Sequence, residues 1–299
     1  MKAGWGIPNN WGGDNPNELI DIAVKAEDAG FASVWVREHL FHASYVADRL
    51  HDRPYYDALT VLIAIGQATE TIRLGTSVLV LPWHDPPRLG KMIATLDQLS
   101  GGRVDMGIGV AMTEDEFENL GINFKNRGKR TDDFLGALQA LWTQDIPDYA
   151  GDFYRYSGQR FSPKPKQQPY PPILIGGYSK AAFRRIARFG DGWHTLRQSP
   201  KQVAAGVAEI VRMTEEEGRD ASSLRHSITL PLDYSGNKDP DPSVNDRTIL
   251  RGGDDDMAET INSYRDAGLD EIIVSVNTAD LTENTETMAR FMNGAWAKI

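Results

Sequence analysis

The stretch from Thr71 to Leu120 constrains this chain more than any other. An apolar run at 74–81 is followed by a segment of helical period, opened by Asp85-Pro86-Pro87 and closed by Gly101-Gly102. A second apolar run follows at 104–110. This spacing predicts a strand, a crossover helix and a second strand, with both strands buried. Thr76-Ser77 and Gly107-Ile108-Gly109 stand at the strand ends, where small residues let a ligand approach the backbone.

The same alternation runs through the chain. Strands are predicted at 3–7, 33–36, 73–80, 104–109, 172–176, 192–196, 226–232 and 271–276. Amphipathic helices are predicted near 16–30, 56–70, 86–100, 130–143, 179–189, 200–218, 254–267 and 282–297. Right-handed crossovers put every helix outside, so eight such units close most simply into a (β/α)8 TIM barrel of the α/β class. With no linker or low-complexity tract, residues 1–299 read as one domain. A doubly wound open sheet competes, but the turn Gly107-Ile108-Gly109-Val110-Ala111-Met112 lacks the third glycine of a dinucleotide fingerprint. Two insertions are expected. Residues 144–171, after strand four, suggest a hairpin and a proline-rich link, and 233–253, after strand seven, suggest a loop able to cover the mouth.

Charge and residue usage exclude several functions. The formal charge is −10, with 42 acidic against 32 basic residues, which disfavours nucleic acid and anionic membrane as partners while allowing a local basic pocket. The absence of cysteine removes disulfides and thiol nucleophiles and fits the cytoplasm. The start MKAGWGIPNN enters a strand directly, and no run of 18 apolar residues occurs, so a soluble protein is expected.

Chemistry-bearing residues gather at predicted strand ends. Gly176-Gly177-Tyr178-Ser179 joins strand five to a helix whose first amides could cradle a phosphate, with Ser179 either capping that helix or touching the phosphate. An ordinary strand-to-helix turn explains the same residues. Glu38-His39 follows strand two, where a histidine can move a proton near neutral pH, or serve structure alone. His84 and His194 also lie near strand ends, and Trp5, Trp35 and Trp193 lie in or beside strands, where core packing is the simpler role. Asp115-Glu116 reads as a helix start. Six histidines without an HExxH pattern argue against a zinc site. No serine elbow or phosphate-binding loop of the nucleotide type appears, so the hard chemistry is expected to come from a bound cofactor.

Together, VREHL at 36–40, the run from Tyr55 to Val110, EFENLG at 116–121, RGKRTDDFLGALQALW at 127–142 and ILIGGYSKAAFRRIARFGDGW at 173–193 resemble the bacterial luciferase-like family. Within it, they resemble the branch of oxidoreductases that use deazaflavin coenzyme F420. The resemblance spans about residues 3–195 and returns weakly in the last barrel units. It implies that His39 sits beside the reactive ring as proton donor, with Glu38 contacting the cofactor. Ser77-Val78 would be a non-proline cis peptide forming a bulge behind the ring. Val80, Ile108 and Gly109 would line the ring and ribityl chain, and Gly176, Gly177 and Ser179 would hold the phosphate. It further implies a homodimer.

Two departures stand out. Ala111-Met112 replaces a common Gly-Trp, and Val110 stands where sugar-phosphate dehydrogenases of the group carry a catalytic glutamate. The expected activity is hydride transfer between coenzyme F420 and a small organic substrate. The alternatives are FMN-dependent monooxygenation and a non-catalytic cofactor-binding role, the last resting on Val110. An isomerase or aldolase on a barrel finds no clear lysine or carboxylate pair at a strand end.

Overall fold

A computed structural model describes residues 1–43, 45–234 and 249–299. The strands are β1 (Lys2–Gly6), β2 (Ser33–Val36), β3 (Arg73–Thr76), β4 (Leu79–Val80), β5 (Val104–Gly109), β6 (Tyr149–Ala150), β7 (Arg155–Tyr156), β8 (Ile173–Gly176), β9 (Gly192–Leu196), β10 (Arg225–Asp233), β11 (Leu250–Arg251) and β12 (Glu271–Ser275). The helices are α1 (Asn17–Asp28), α2 (Tyr45–Leu50), α3 (Ala58–Ala68), α4 (Pro86–Leu99), α5 (Asp115–Asn119), α6 (Arg127–Thr143), α7 (Lys180–Phe189), α8 (Pro200–Glu216), α9 (Asp254–Asp266) and α10 (Leu281–Asn293).

In space the order is β1-β2-β3-β5-β8-β9-β10-β12, all parallel, and β12 pairs back onto β1. Eight strand positions thus close into the expected TIM barrel, with the long helices outside. Helix signals hold locally. Asp85 accepts a hydrogen bond from the Arg88 amide to start α4, and Gly101 and Gly102 end it at φ +75° and +91°.

The barrel interior is layered. At the amino-terminal end, Asp105 of β5 is gripped by Arg73 of β3 (2.5 Å) and Arg225 of β10 (2.5 Å). Burial opposes charge on Asp105, but the two guanidinium groups outweigh it and hold the carboxyl below its usual range. Above them Trp35, Leu174 and Ile273 form an apolar layer separate from the outer core. Gly75 makes room for it, since a Cβ there would lie 2.3 Å from the Trp35 ring.

The insertion after the fourth barrel position is the expected hairpin, β6 antiparallel to β7, followed by a proline-rich link. Asp133 on α6 holds it, accepting from the amides of Phe153 (2.6 Å) and Tyr154 (3.0 Å) and the Tyr149 hydroxyl (2.7 Å). Most of the expected loop at 233–253 lies outside the described residues. Among the described residues, no helix is long and apolar enough to cross a membrane.

Candidate active site

The run predicted as one strand at 73–80 is two. β3 ends at Thr76, the Ser77–Val78 peptide is cis, and β4 resumes at Leu79. β4 then pairs with β5, Leu79 opposite Ile108 and Val80 opposite Gly109. A Cβ on Gly109 would lie 2.7 Å from Val78 Cγ2, and one on Gly176 would lie 3.1 Å from the Ile108 carbonyl oxygen and 3.5 Å from Val78 Cγ1. Ser77, Val78, Val80, Ile108, Gly109 and Gly176 therefore meet at one side of the carboxyl-end mouth, where Gly109 and Gly176, lacking a Cβ, let their strands close on Val78 to form a shelf. The Ile108 side chain is buried in the outer core, so its backbone is what borders the shelf.

Gly177 and Ser179 extend the shelf toward α7. Gly177 sits at φ +101°, a region that favours glycine, and its carbonyl accepts from Trp193 Nε1 at 2.6 Å. The Ser179 hydroxyl accepts from the Ala182 amide (3.2 Å), so here it is the helix cap.

Glu38 is buried and doubly engaged. It accepts from the Val80 amide (2.7 Å) and meets His84 Nε2 at 2.8 Å, which ties β4 to the end of β2. Burial works against a charge on His84, and the Glu38 carboxylate outweighs it, holding the imidazole above its ordinary value.

His39 faces a different carboxylate. Its Nδ1 lies 2.6 Å from Glu116 Oε2 on α5, and its Nε2 lies 2.8 Å from the Tyr45 hydroxyl on α2. Glu116 is itself fixed by the amides of Leu40 (2.9 Å) and Phe41 (3.2 Å). With Glu116 accepting, the neutral ring carries its proton on Nδ1 and Nε2 accepts from the tyrosine. Tyr45, Tyr55 and Trp83 surround the ring, their centroids 5.6, 5.7 and 6.0 Å away.

Below the shelf, His194 is sealed inside the barrel. Its Nε2 meets Ser77 Oγ and its Nδ1 meets Ser227 Oγ, both at 2.8 Å, and it stacks on Trp35 at 4.7 Å. Burial, aided by the charge of Arg37, pushes its pKa down to about 3, so it stays neutral. Of the three tryptophans, Trp35 alone is interior; Trp5 packs on Phe31 and Trp193 on Phe183 in the outer layer.

Glu116, Tyr45 and Arg37 escaped the sequence reading. The acid pair at 115–116 suits a helix start equally well, and α2 is only six residues long, too short to leave a periodic signal. Ala111 adopts φ +61°, a conformation that glycine takes more readily and that matches the glycine of the resembled family. Met112 beside it is exposed, as are Leu40, Phe41 and Tyr178 on neighbouring mouth loops, giving an apolar rim.

A family model described as luciferase-like monooxygenase matches residues 1–239, and the chain belongs to that family. An uncharacterized protein of Mycobacterium tuberculosis is 30% identical over 222 residues, covering 71% of this chain and 76% of its own length. The FMNH2-dependent dimethylsulfone monooxygenase of Pseudomonas putida is 33% identical over 204 residues, 67% of this chain and 53% of that protein. Among solved structures, monooxygenase RslO1 from Streptomyces bottropensis superposes with a TM-score of 0.84 at 23% identity, covering 99% of each chain. An F420-dependent secondary alcohol dehydrogenase in complex with an F420-acetone adduct gives a TM-score of 0.85 at 18% identity, over 100% of this chain and 99% of that one. Proteins similar to this chain thus include both F420-dependent and FMN-dependent enzymes.

Proposed function

We propose that this luciferase-like enzyme transfers a hydride between deazaflavin coenzyme F420 and a small organic substrate. The observation that carries the reading is the His39–Glu116 contact at 2.6 Å beside the glycine shelf, with Tyr45 on the other ring nitrogen. The residues fit such a group. Ser77, Val78 and Gly176 are partly exposed at the mouth as an apolar shelf, the start of α7 beyond Gly177 offers amides for a phosphate, and the apolar rim suits an aromatic ring. When bound, the deazaflavin supplies the hydride-accepting or hydride-donating carbon.

The chain's own residues supply position and a proton. The Tyr45 hydroxyl on Nε2 relays a proton between His39 and the substrate oxygen or nitrogen, while Glu116 on Nδ1 fixes the ring's tautomer and orientation. The aromatic walls of Tyr45, Tyr55 and Trp83 keep water from that exchange. The non-catalytic reading rested on Val110, and Glu116 brings a carboxylate to His39 by another route, which weakens it.

The FMN-dependent monooxygenase reading draws support from the Pseudomonas putida relative. Titration of the apo-protein with coenzyme F420 and, separately, with FMN, followed by tryptophan fluorescence, tests the choice. Micromolar binding of F420 with weak FMN binding supports hydride transfer. The reverse preference sinks it and favours oxygen chemistry.

A further inference from the structure

The mouth holds two arginines that its own carboxylates leave unanswered. Arg37 follows β2 and lies over the end of β1, where a Cβ on Gly6 would come within 3.3 Å of both its Nη atoms. Its Nη2 reaches Ser275 Oγ at 3.2 Å, while its Nη1 is buried without a hydrogen-bond partner. Arg49 on α2 donates to the Asn10 carbonyl (3.0 Å) and stacks 4.6 Å from the Trp11 ring centroid, and its Nε is likewise buried without a partner.

Both groups gather at the loop after β1. The Arg37 amide donates to Asn9 Oδ1 and Arg49 bonds the next residue, while the Asn10 side-chain oxygen is itself unpaired. Among the described residues neither arginine forms an ion pair. Glu38 is committed to Val80 and His84, and Glu116 to His39 and two amides, while Asp14, Glu18 and Asp280 line the cavity beside Arg49 without an ion pair to it. A buried donor without an acceptor costs about 1–3 kcal/mol, so two in one corner point to a ligand that supplies the acceptors.

We infer that Arg37 and Arg49 form an oxyanion subsite that receives a carboxylate, sulfonate or phosphate head group of the substrate, on the side of the mouth away from the α7 cradle. The guanidinium fork matches such groups through paired N–H donors. Tyr45 links the subsite to the chemistry, since its ring lies 5.8 Å from the Arg49 guanidinium and its hydroxyl touches His39. Burial, aided by the charge of Arg49, weakens Arg37's hold on its proton. The assignment to substrate rests on the hydride-transfer reading; the oxyanion site itself does not.

The test titrates the cofactor-free protein with acetate, methanesulfonate and inorganic phosphate at constant ionic strength, following the fluorescence of Trp11 and its neighbours. Saturable binding of at least one anion is expected, weakened tenfold or more in Arg37→Gln and in Arg49→Gln and partly kept in Arg37→Lys. Circular dichroism identifies any variant that fails to fold, and the remaining variant then decides. Coenzyme F420 is titrated into the same proteins. No saturable anion binding to the wild type, or binding unchanged in both Gln variants, overturns the inference. Loss of F420 binding in parallel with anion binding also overturns it, by assigning the arginines to the cofactor. Anion binding in a protein that takes no F420 keeps the oxyanion site and discards the hydride-transfer reading.

Discussion

His39 and Glu116, 77 residues apart in sequence, meet at 2.6 Å across the barrel mouth. If His39 moves the proton, His39→Asn lowers kcat by about 10²–10⁴-fold while F420 affinity stays within a few-fold. Glu116→Gln keeps a hydrogen-bond acceptor but not the charge, and produces a smaller loss in kcat with KM little changed. Steady-state kinetics beside cofactor titration measure both, and an unchanged kcat in His39→Asn removes it from the mechanism.

Glu38 anchors the end of β2 to β4, with Val80 and His84 engaging its two oxygens. Glu38→Ala leaves a buried amide and a histidine without their acceptor, and the expected cost is about 3–5 kcal/mol. Thermal unfolding should show a fall in Tm on the order of 10 °C. A change of a degree or two would place Glu38 outside the framework that holds β4.

Gly109→Ala forces Val78 to move, because the new Cβ falls 2.7 Å from Val78 Cγ2. Overpacking of this kind costs about 1–3 kcal/mol, and here it falls on the shelf. Cofactor affinity should drop about tenfold or more, with a smaller effect on Tm. Retained affinity in the variant would show that the shelf is not the ring's resting place.

His194 makes stability depend on pH. Its folded pKa is about 3 against an ordinary value of 6.5, so below 6.5 the unfolded chain takes up a proton that the folded one refuses. The stabilisation is therefore present above pH 6.5 and is lost as pH falls toward 3, at a slope approaching about 1.4 kcal/mol per pH unit. Urea denaturation between pH 7 and pH 4 should show a shallower slope in His194→Gln than in the wild type. Equal slopes would mean that the histidine is not sealed.

Much of this architecture is legible in the residues. The strands at 33–36, 104–109 and 192–196 match their predicted bounds, because apolar runs between glycine and proline signals have few other readings. The cis break at Ser77-Val78 has no signature in the local pattern of the run 73–80 and was legible only through the family resemblance. Glu116 was invisible for another reason. Its role comes from the closure of the barrel, which carries α5 over the end of β2, and no local pattern encodes a contact made across 77 residues. Arg37 shows the same limit, because a cation left without a counter-charge is a property of three-dimensional neighbours.

The layer of Trp35, Leu174 and Ile273 over the Asp105 ion cluster has a kinetic consequence. It stoppers the barrel as the base stoppers a cup, so whatever binds above it has one doorway for arrival and departure. Under the proposed function, a bulky cofactor on the shelf would stand behind a substrate held at Arg37, so the smaller partner would come last and leave first.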